Sequence, residues 1–231
     1  MRSPLFPSKY LGALALSMLL AACGGRPAPP PVPPPAPVLP PAGPPPFTAT
    51  EVWTREASLA LTNDSSPAVP VPNLFTRLEV LRVDSARLLV RCHICRGAQT
   101  GWIDRARVAW EVRPPADAAK LDLADFALSV RDAIRRRDVQ ALQSAMSRDF
   151  ISTHFGPEGT LEAANAWRRR NFADLDRAGF LLDRGIVNLP GTPVWAAPPE
   201  YAANVLYSDL RTGFRRGANG WEWIFLVRPG T

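Results

Sequence analysis

Thirteen of the chain's 26 prolines fall within positions 27–46, in the stretch RPAPPPVPPPAPVLPPAGPPP that covers 26–46. Each proline fixes φ and removes a backbone donor, so neither a helix nor a sheet ladder propagates through such a run. The expected state is polyproline II, which rises about 3.1 Å per residue and carries twenty residues over roughly 60 Å. A packed fold is therefore confined to the residues after position 46. Of 231 residues, about 185 remain, enough for one large or two small domains. The stretch reads as a stiff spacer; its sharper alternative is a recognition site, because PPVPPPAP has PxxP spacing. With 46% apolar residues and three cysteines, the rest is neither a disordered chain nor a disulfide-dense mini-protein.

Ahead of the spacer, Arg2 and Lys9 give a basic start without acids, and residues 11–22 form the apolar run LGALALSMLLAA. A spanning helix needs about 20 apolar residues, so the run is too short for a stable anchor and has the layout of a secretory signal. It ends Leu20-Ala21-Ala22-Cys23, followed by Gly24-Gly25. This ending resembles the lipobox of bacterial lipoproteins. The resemblance implies cleavage before Cys23, acylation of its thiol and new amino end, and a signal peptide over 1–22. Glycine rather than aspartate after Cys23 implies the outer membrane, on its periplasmic side. An ordinary cleaved signal with an incidental cysteine is the alternative. More than one acyl chain makes attachment practically permanent. Losing Arg2 and Lys9 lowers the formal charge from +6 to about +4, a mild excess that does not argue for nucleic acid.

Over 48–113 the pattern turns to short alternating apolar runs separated by turn clusters, which predicts about five strands in a small barrel or sandwich. The candidates are 51–61, 75–83, 87–92, a short strand from Gly101, and 107–112. The order LEVLRVDSARLLVRC, then a turn, then GWID and RVAW, resembles bacterial SH3-like domains. The resemblance implies a β-barrel in which Trp102 packs across the barrel and Gly101 lets the strand bend beside it. It also implies a role in binding peptides, peptidoglycan or neighbouring domains; Trp102, and Arg87 where the family usually has an aromatic, are the candidate contact residues.

Cys92-His93-Ile94-Cys95 lies between two of these strands. Three readings fit. A disulfide needs the chain to turn, since extended residues three apart sit about 10 Å apart, beyond the roughly 7 Å limit between α-carbons; Gly97 and the loop to Thr100 leave room for it. A redox pair of the thioredoxin type wants its first cysteine at a helix start, whereas Arg96-Gly97-Ala98-Gln99 leads into Gly-Trp. A zinc site would draw on both thiols with His93 or His154, but the chain has no second paired cluster. The expected assignment is the disulfide, with no metal and no cofactor.

Pro114-Pro115 marks a boundary, and 117–231 reads as helices followed by strands, an α+β layer arrangement. Leu123, Phe126, Val130 and Ile134 share a helix face, with Arg131, Arg135 and Arg136 mostly opposite. Asp138 is placed to cap a second helix and Thr160 a third running towards Leu175. Strands are expected over 180–189, 194–197 and 202–207, then a terminal hairpin whose Trp221, Trp223, Phe225 and Val227 share a face. The helix pair, loop, helix and hairpin look like NTF2-like domains. That resemblance raises an enzymatic alternative with a site near Asp149 and His154, the one pair that fits an acid/base role. Asp176 and Asp183 read as solvated loop carboxylates. Arg135-Arg136-Arg137 and Arg168-Arg169-Arg170 read as cations at helix C-termini, where they suit the dipole.

No nucleophile elbow, His-Glu-x-x-His or phosphate loop is present. The sequence therefore points to an α+β protein, a small SH3-like barrel followed by helices on an antiparallel sheet. It would be tethered by lipid at Cys23, lifted by the 23–47 spacer, and would bind peptidoglycan or an envelope protein without catalysis. Deleting residues 27–37 should leave the thermal midpoint of the folded part unchanged, as read by circular dichroism melts; a marked drop would end the spacer reading.

Overall fold

The computed structural model describes residues 46–63, 66–153, 156–157, 159–204 and 206–228. Cys23, the proline stretch up to position 45 and His154 lie outside them. Seven strands, not five, build the first half: β1 (Glu51–Thr54), β2 (Leu59–Asn63), β3 (Ser66–Val71), β4 (Leu74–Asp84), β5 (Arg87–Cys92), β6 (Gln99–Asp104) and β7 (Val108–Ala109). The expected run over 51–61 is broken at Ser58, whose φ is 60°. The extra strand β3 carries Pro67 and Pro70 and stands at the end of the sheet, the place where strands tolerate proline. A 3-10 turn, Arg105–Arg107, joins β6 to β7; Asp104 caps it by accepting from the Ala106 N–H.

The second half runs α1 (Leu123–Arg136), α2 (Val139–Ala145), β8 (Met146–Thr153), β9 (Gly156–Pro157), α3 (Gly159–Arg169), α4 (Ala173–Leu182), β10 (Arg184–Asn188), β11 (Val194–Ala197), α5 (Pro199–Ala203), β12 (Arg211–Gly217) and β13 (Gly220–Val227). Asp122 caps α1 through the Asp125 N–H, and Asp138 caps α2 through the Ala141 N–H. Leu123, Phe126, Val130 and Ile134 are all buried on α1.

Several expected elements shift for tertiary reasons. The helix expected from Thr160 to Leu175 starts at Gly159 and breaks at Asn171 and Phe172, both left-handed, so that α3 and α4 pack as separate helices. Residues 180–182 finish α4 rather than start a strand, and most of 202–207 follows the short helix α5. On β13 a bulge opposite Gly213 and Phe214 shifts the alternation. Trp223, Ile224 and Leu226 are consequently the buried residues, while Trp221, Phe225 and Val227 are half-buried.

The fold is α+β. Among the described residues thirteen strands make one open mixed sheet in the order β3-β2-β6-β5-β4-β10-β11-β12-β13-β8-β9, with β1 pairing β4 and β7. Its one parallel pair among the described residues is β8 with β13. The long strand β4 is the seam. Its first residues, Leu74 and Thr76, pair with β10; Arg77, Leu78 and Glu79 pair with β1; Glu79 to Asp84 pair with β5. Gly185 lets β10 come this close, because a Cβ there would lie 2.6 Å from the Asn73 Cβ and its φ is +114°. Residues Pro46–Thr231 cluster as one compact unit.

Two hydrophobic cores share one wall of strands. Side chains alternate across a strand, and β1 sends Val52 into one core and Trp53 into the other. Likewise β7 splits Val108 from Ala109, and β4 splits Leu78 from Phe75. The first core lies among β1 to β7; the second fills the space between the helices and β8 to β13, with Phe150, Trp167 and Trp223 in ring contact. Among the described residues, no helix is long and apolar enough to cross a membrane.

Polar bonds lock the wall to the helices. Asp183, at the C-terminus of α4, accepts from the Trp53 indole N–H at 3.0 Å and from the Arg131 guanidinium, whose Nη2 lies 2.8 Å away. Arg131 also lies over the Trp53 ring at 4.6 Å. Its side chain is 15% exposed and that of Asp183 13%. The expectation of a solvated Asp183 and an outward Arg131 is thus overturned: helix α1 turns this arginine onto the β1 wall. Arg55 makes a second lock, a two-pronged bond to Asp125. Removing one partner of such a shielded pair leaves the other charge uncompensated. Asp183→Ala should therefore cost about 3 kcal/mol in urea unfolding, and a loss below about 1 kcal/mol would mean the pair behaves as a surface one.

Candidate functional site

The solvent face of β4, β5 and β6 assembles from alternating side chains. Leu88, Val90 and Ile103 point into the core, which leaves Arg87, Leu89, Arg91 and Trp102 on the outside. Gly101 sits against β2 so tightly that a Cβ would be 2.7 Å from the Leu61 Cβ, so the close approach needs glycine; alternation along β6 puts Trp102 on the other face. Trp102 is half-exposed on this face and does not pack across the barrel as expected.

Two guanidiniums lie over Trp102, that of Arg82 at 4.8 Å from the ring centroid and that of Arg87 at 5.1 Å. Arg82 is across the sheet because β4 bulges between Val80 and Arg82, leaving Leu81 as the extra residue and pairing Arg82 with Leu89. Arg87 has a loose partner, Asp84 at 3.6 Å, with both side chains more than half exposed. Arg82 has no carboxylate partner among the described residues. A guanidinium stacked on an indole keeps its in-plane N–H groups free, so such a surface suits carboxylate- or amide-bearing ligands. Leu81 and Val83, 39% and 42% exposed, add apolar surface on β4. One row along, Glu79 accepts from Arg91 and lies 2.9 Å from His93 Nε2. The bond to His93, aided by the charge of Arg91, holds the Glu79 carboxyl below its usual range.

Cys92 and Cys95 are joined by a disulfide, with α-carbons 5.4 Å apart. The chain reverses through Gly97 and Ala98, both at positive φ. No group of three or more metal-ligating His, Cys, Asp or Glu side chains exists among the described residues.

Asp149 lies within β8, the strand that follows α2, exposed and bonded to Arg215. Ser147 first and then Arg215 hold its carboxyl below the usual range. Asp176 is on α4, exposed and paired with Arg137. The arginine runs end α1 and α3. In the first run Arg135 and Arg136 both bond Asp132, so part of that charge is spent internally.

The sequence singled out Trp102 and Arg87, which the structure brings together, and missed Arg82. A strict period of two puts Arg82 among inward positions, and only the bulge turns it out. No family model, curated protein or solved structure matches the chain.

Burial, the largest influence on Asp132, pushes its carboxyl up, but the bonds from Arg135 and Arg136 outweigh it and the net shift is downward. A carboxylate depressed in the folded state stabilises above its unfolded value and loses that contribution as pH falls. Stability should therefore drop as pH falls through and below the ordinary aspartate value of 3.8. Asp132→Asn should flatten that limb in urea titrations against pH; an unchanged limb would contradict the assignment.

Proposed function

We propose that the chain is a lipid-anchored envelope protein whose folded part binds a partner rather than transforming a substrate. The observation that carries this reading is Trp102 under two arginines on an open sheet face. Stacked cations over an indole make a recognition surface, because they offer free donors and apolar area together. The ligand class is peptidoglycan or an envelope protein presenting carboxylates and amides. Anchoring rests on the Leu20-Ala21-Ala22-Cys23 ending and the short apolar run before it; the acylated end would sit in the outer membrane, facing the periplasm.

We read the path β7-β1-β4-β5-β6-β2 as an SH3-like barrel. Support comes from the strand order and from the 3-10 turn that joins β6 to its last short strand. The competing enzymatic reading needs Asp149 in an enclosed polar site. Asp149 lies exposed on β8 with its charge spent on Arg215, which favours binding.

Full-length protein should fractionate with membranes, and Cys23→Ala should release it to the soluble fraction; retention would remove the anchor. In sedimentation with purified sacculi and in crosslinking on intact cells, the Trp102→Ala, Arg87→Glu variant should lose at least about tenfold of the binding to one of them. Its thermal midpoint should hold. Equal binding by the variant, or no binding by the wild type to either, would sink the proposal.

A further inference from the structure

The Trp102 face makes no use of the disulfide. Cys95 lines an open groove of about 570 Å³ together with Pro67, Val69, Pro70, Ile94 and Arg96. Ile94, 48% exposed, adds apolar surface beside the disulfide. Cys92 is 0% exposed and belongs to the core behind the groove, whereas Cys95 is 8% exposed and reaches the groove wall. The two cysteines are thus unequal: Cys95 lines the groove and Cys92 does not.

The bridge closes a loop of sequence separation 3, so it removes little entropy from the unfolded chain. Cooperative folding gains little from it. The local geometry instead resolves the two halves of an exchange reaction. The backbone N–H of Cys95 donates to the Cys92 sulfur at 3.2 Å. A donor aimed at a sulfur stabilises its thiolate, the task that a helix start performs in other cysteine pairs. Exchange is faster when the leaving sulfur is the better thiolate and the attacked sulfur is the reachable one. Arg96, on the groove wall and without a carboxylate partner among the described residues, favours an incoming anion.

We propose that this groove is a thiol–disulfide exchange site, whose partner is a dithiol carried on an apolar peptide segment. The partner's first thiolate attacks the Cys95 sulfur. The Cys92–Cys95 bond breaks, and its electron pair leaves on the Cys92 sulfur, held by the Cys95 N–H until solvent supplies a proton. The partner's second thiol loses its proton and attacks the partner's own sulfur in the mixed disulfide. That step releases Cys95 as a thiolate, which takes up a proton. Two electrons and two protons have passed from the dithiol to this chain, and the partner carries the new disulfide. Apolar residues beside the partner's cysteines seat against Val69, Pro70 and Ile94.

The test uses the native oxidised full chain. It is treated with reduced glutathione, quenched with N-ethylmaleimide and mapped by mass spectrometry. Glutathione should be found on Cys95 and maleimide on Cys92, in about tenfold excess over the reverse arrangement. The reverse, an even split, or no reaction until the protein is denatured would overturn the site. In a second arm, Ile94→Glu should slow reduction by a synthetic apolar Cys-x-x-Cys peptide about tenfold while leaving the rate with dithiothreitol unchanged. Equal effects on both reductants, or on neither, would remove the groove from the proposal. The Trp102→Ala, Arg87→Glu variant should exchange at the wild-type rate, which separates this site from the binding face.

Discussion

The carboxylate of Asp183 ties together parts of the chain that lie far apart in sequence. It accepts from an indole 130 positions away and from Arg131 on a different helix. Because the site is shielded, each partner depends on the others: without the carboxylate, Arg131 would be left with the more exposed Glu51, 4.0 Å away, and the indole N–H would be unpaired. What this node secures is the common wall. Strands β1, β4 and β7 each feed two cores, so a shift of β1 by one residue would exchange Val52 and Trp53 and spoil both. Helix α1 and the end of α4 meet the wall through Arg131 and Asp183, and β10 continues the sheet from β4.

This wall leaves the outer face of β4, β5 and β6 and the groove at Cys95 exposed. The β5–β6 hairpin contributes Arg87 and Trp102 to the outer face and Cys92 to the disulfide, whose Cys95 borders a separate groove. The first surface is open, charged and aromatic, suited to recognition. The second is largely apolar and is lined by Cys95 of the disulfide. Neither resembles the enclosed cluster of mutually oriented groups that acid–base chemistry requires, and Asp149, the one described residue of the enzymatic alternative, sits in a surface ion pair.

Much of this was legible locally. The face of α1, the Asp138 cap of α2, the turn into β5 and the terminal hairpin all depend on residues within one short window, where period and capping chemistry act directly. Other features escaped for physical reasons. Pro67 and Pro70 argue against a strand unless the strand is known to be an edge. Arg131 looked solvent-facing because three arginines on one helix suggest a wet side, yet the partner that buries it is β1. Arg82 took its true direction from a bulge, which a strict alternation does not contain.

The sequence by itself determined the α+β class, the caps of α1 and α2 and the terminal hairpin, because those depend on φ restrictions and on apolar spacing between near neighbours. The tertiary structure alone decided that β4 and β10 join the two halves into one sheet, that Asp183 is shielded, and which sides of Trp102 and Cys95 meet solvent. Those outcomes rest on contacts between residues tens to more than a hundred positions apart, and side-chain spacing along a single strand or helix holds no information about which distant surface will cover it.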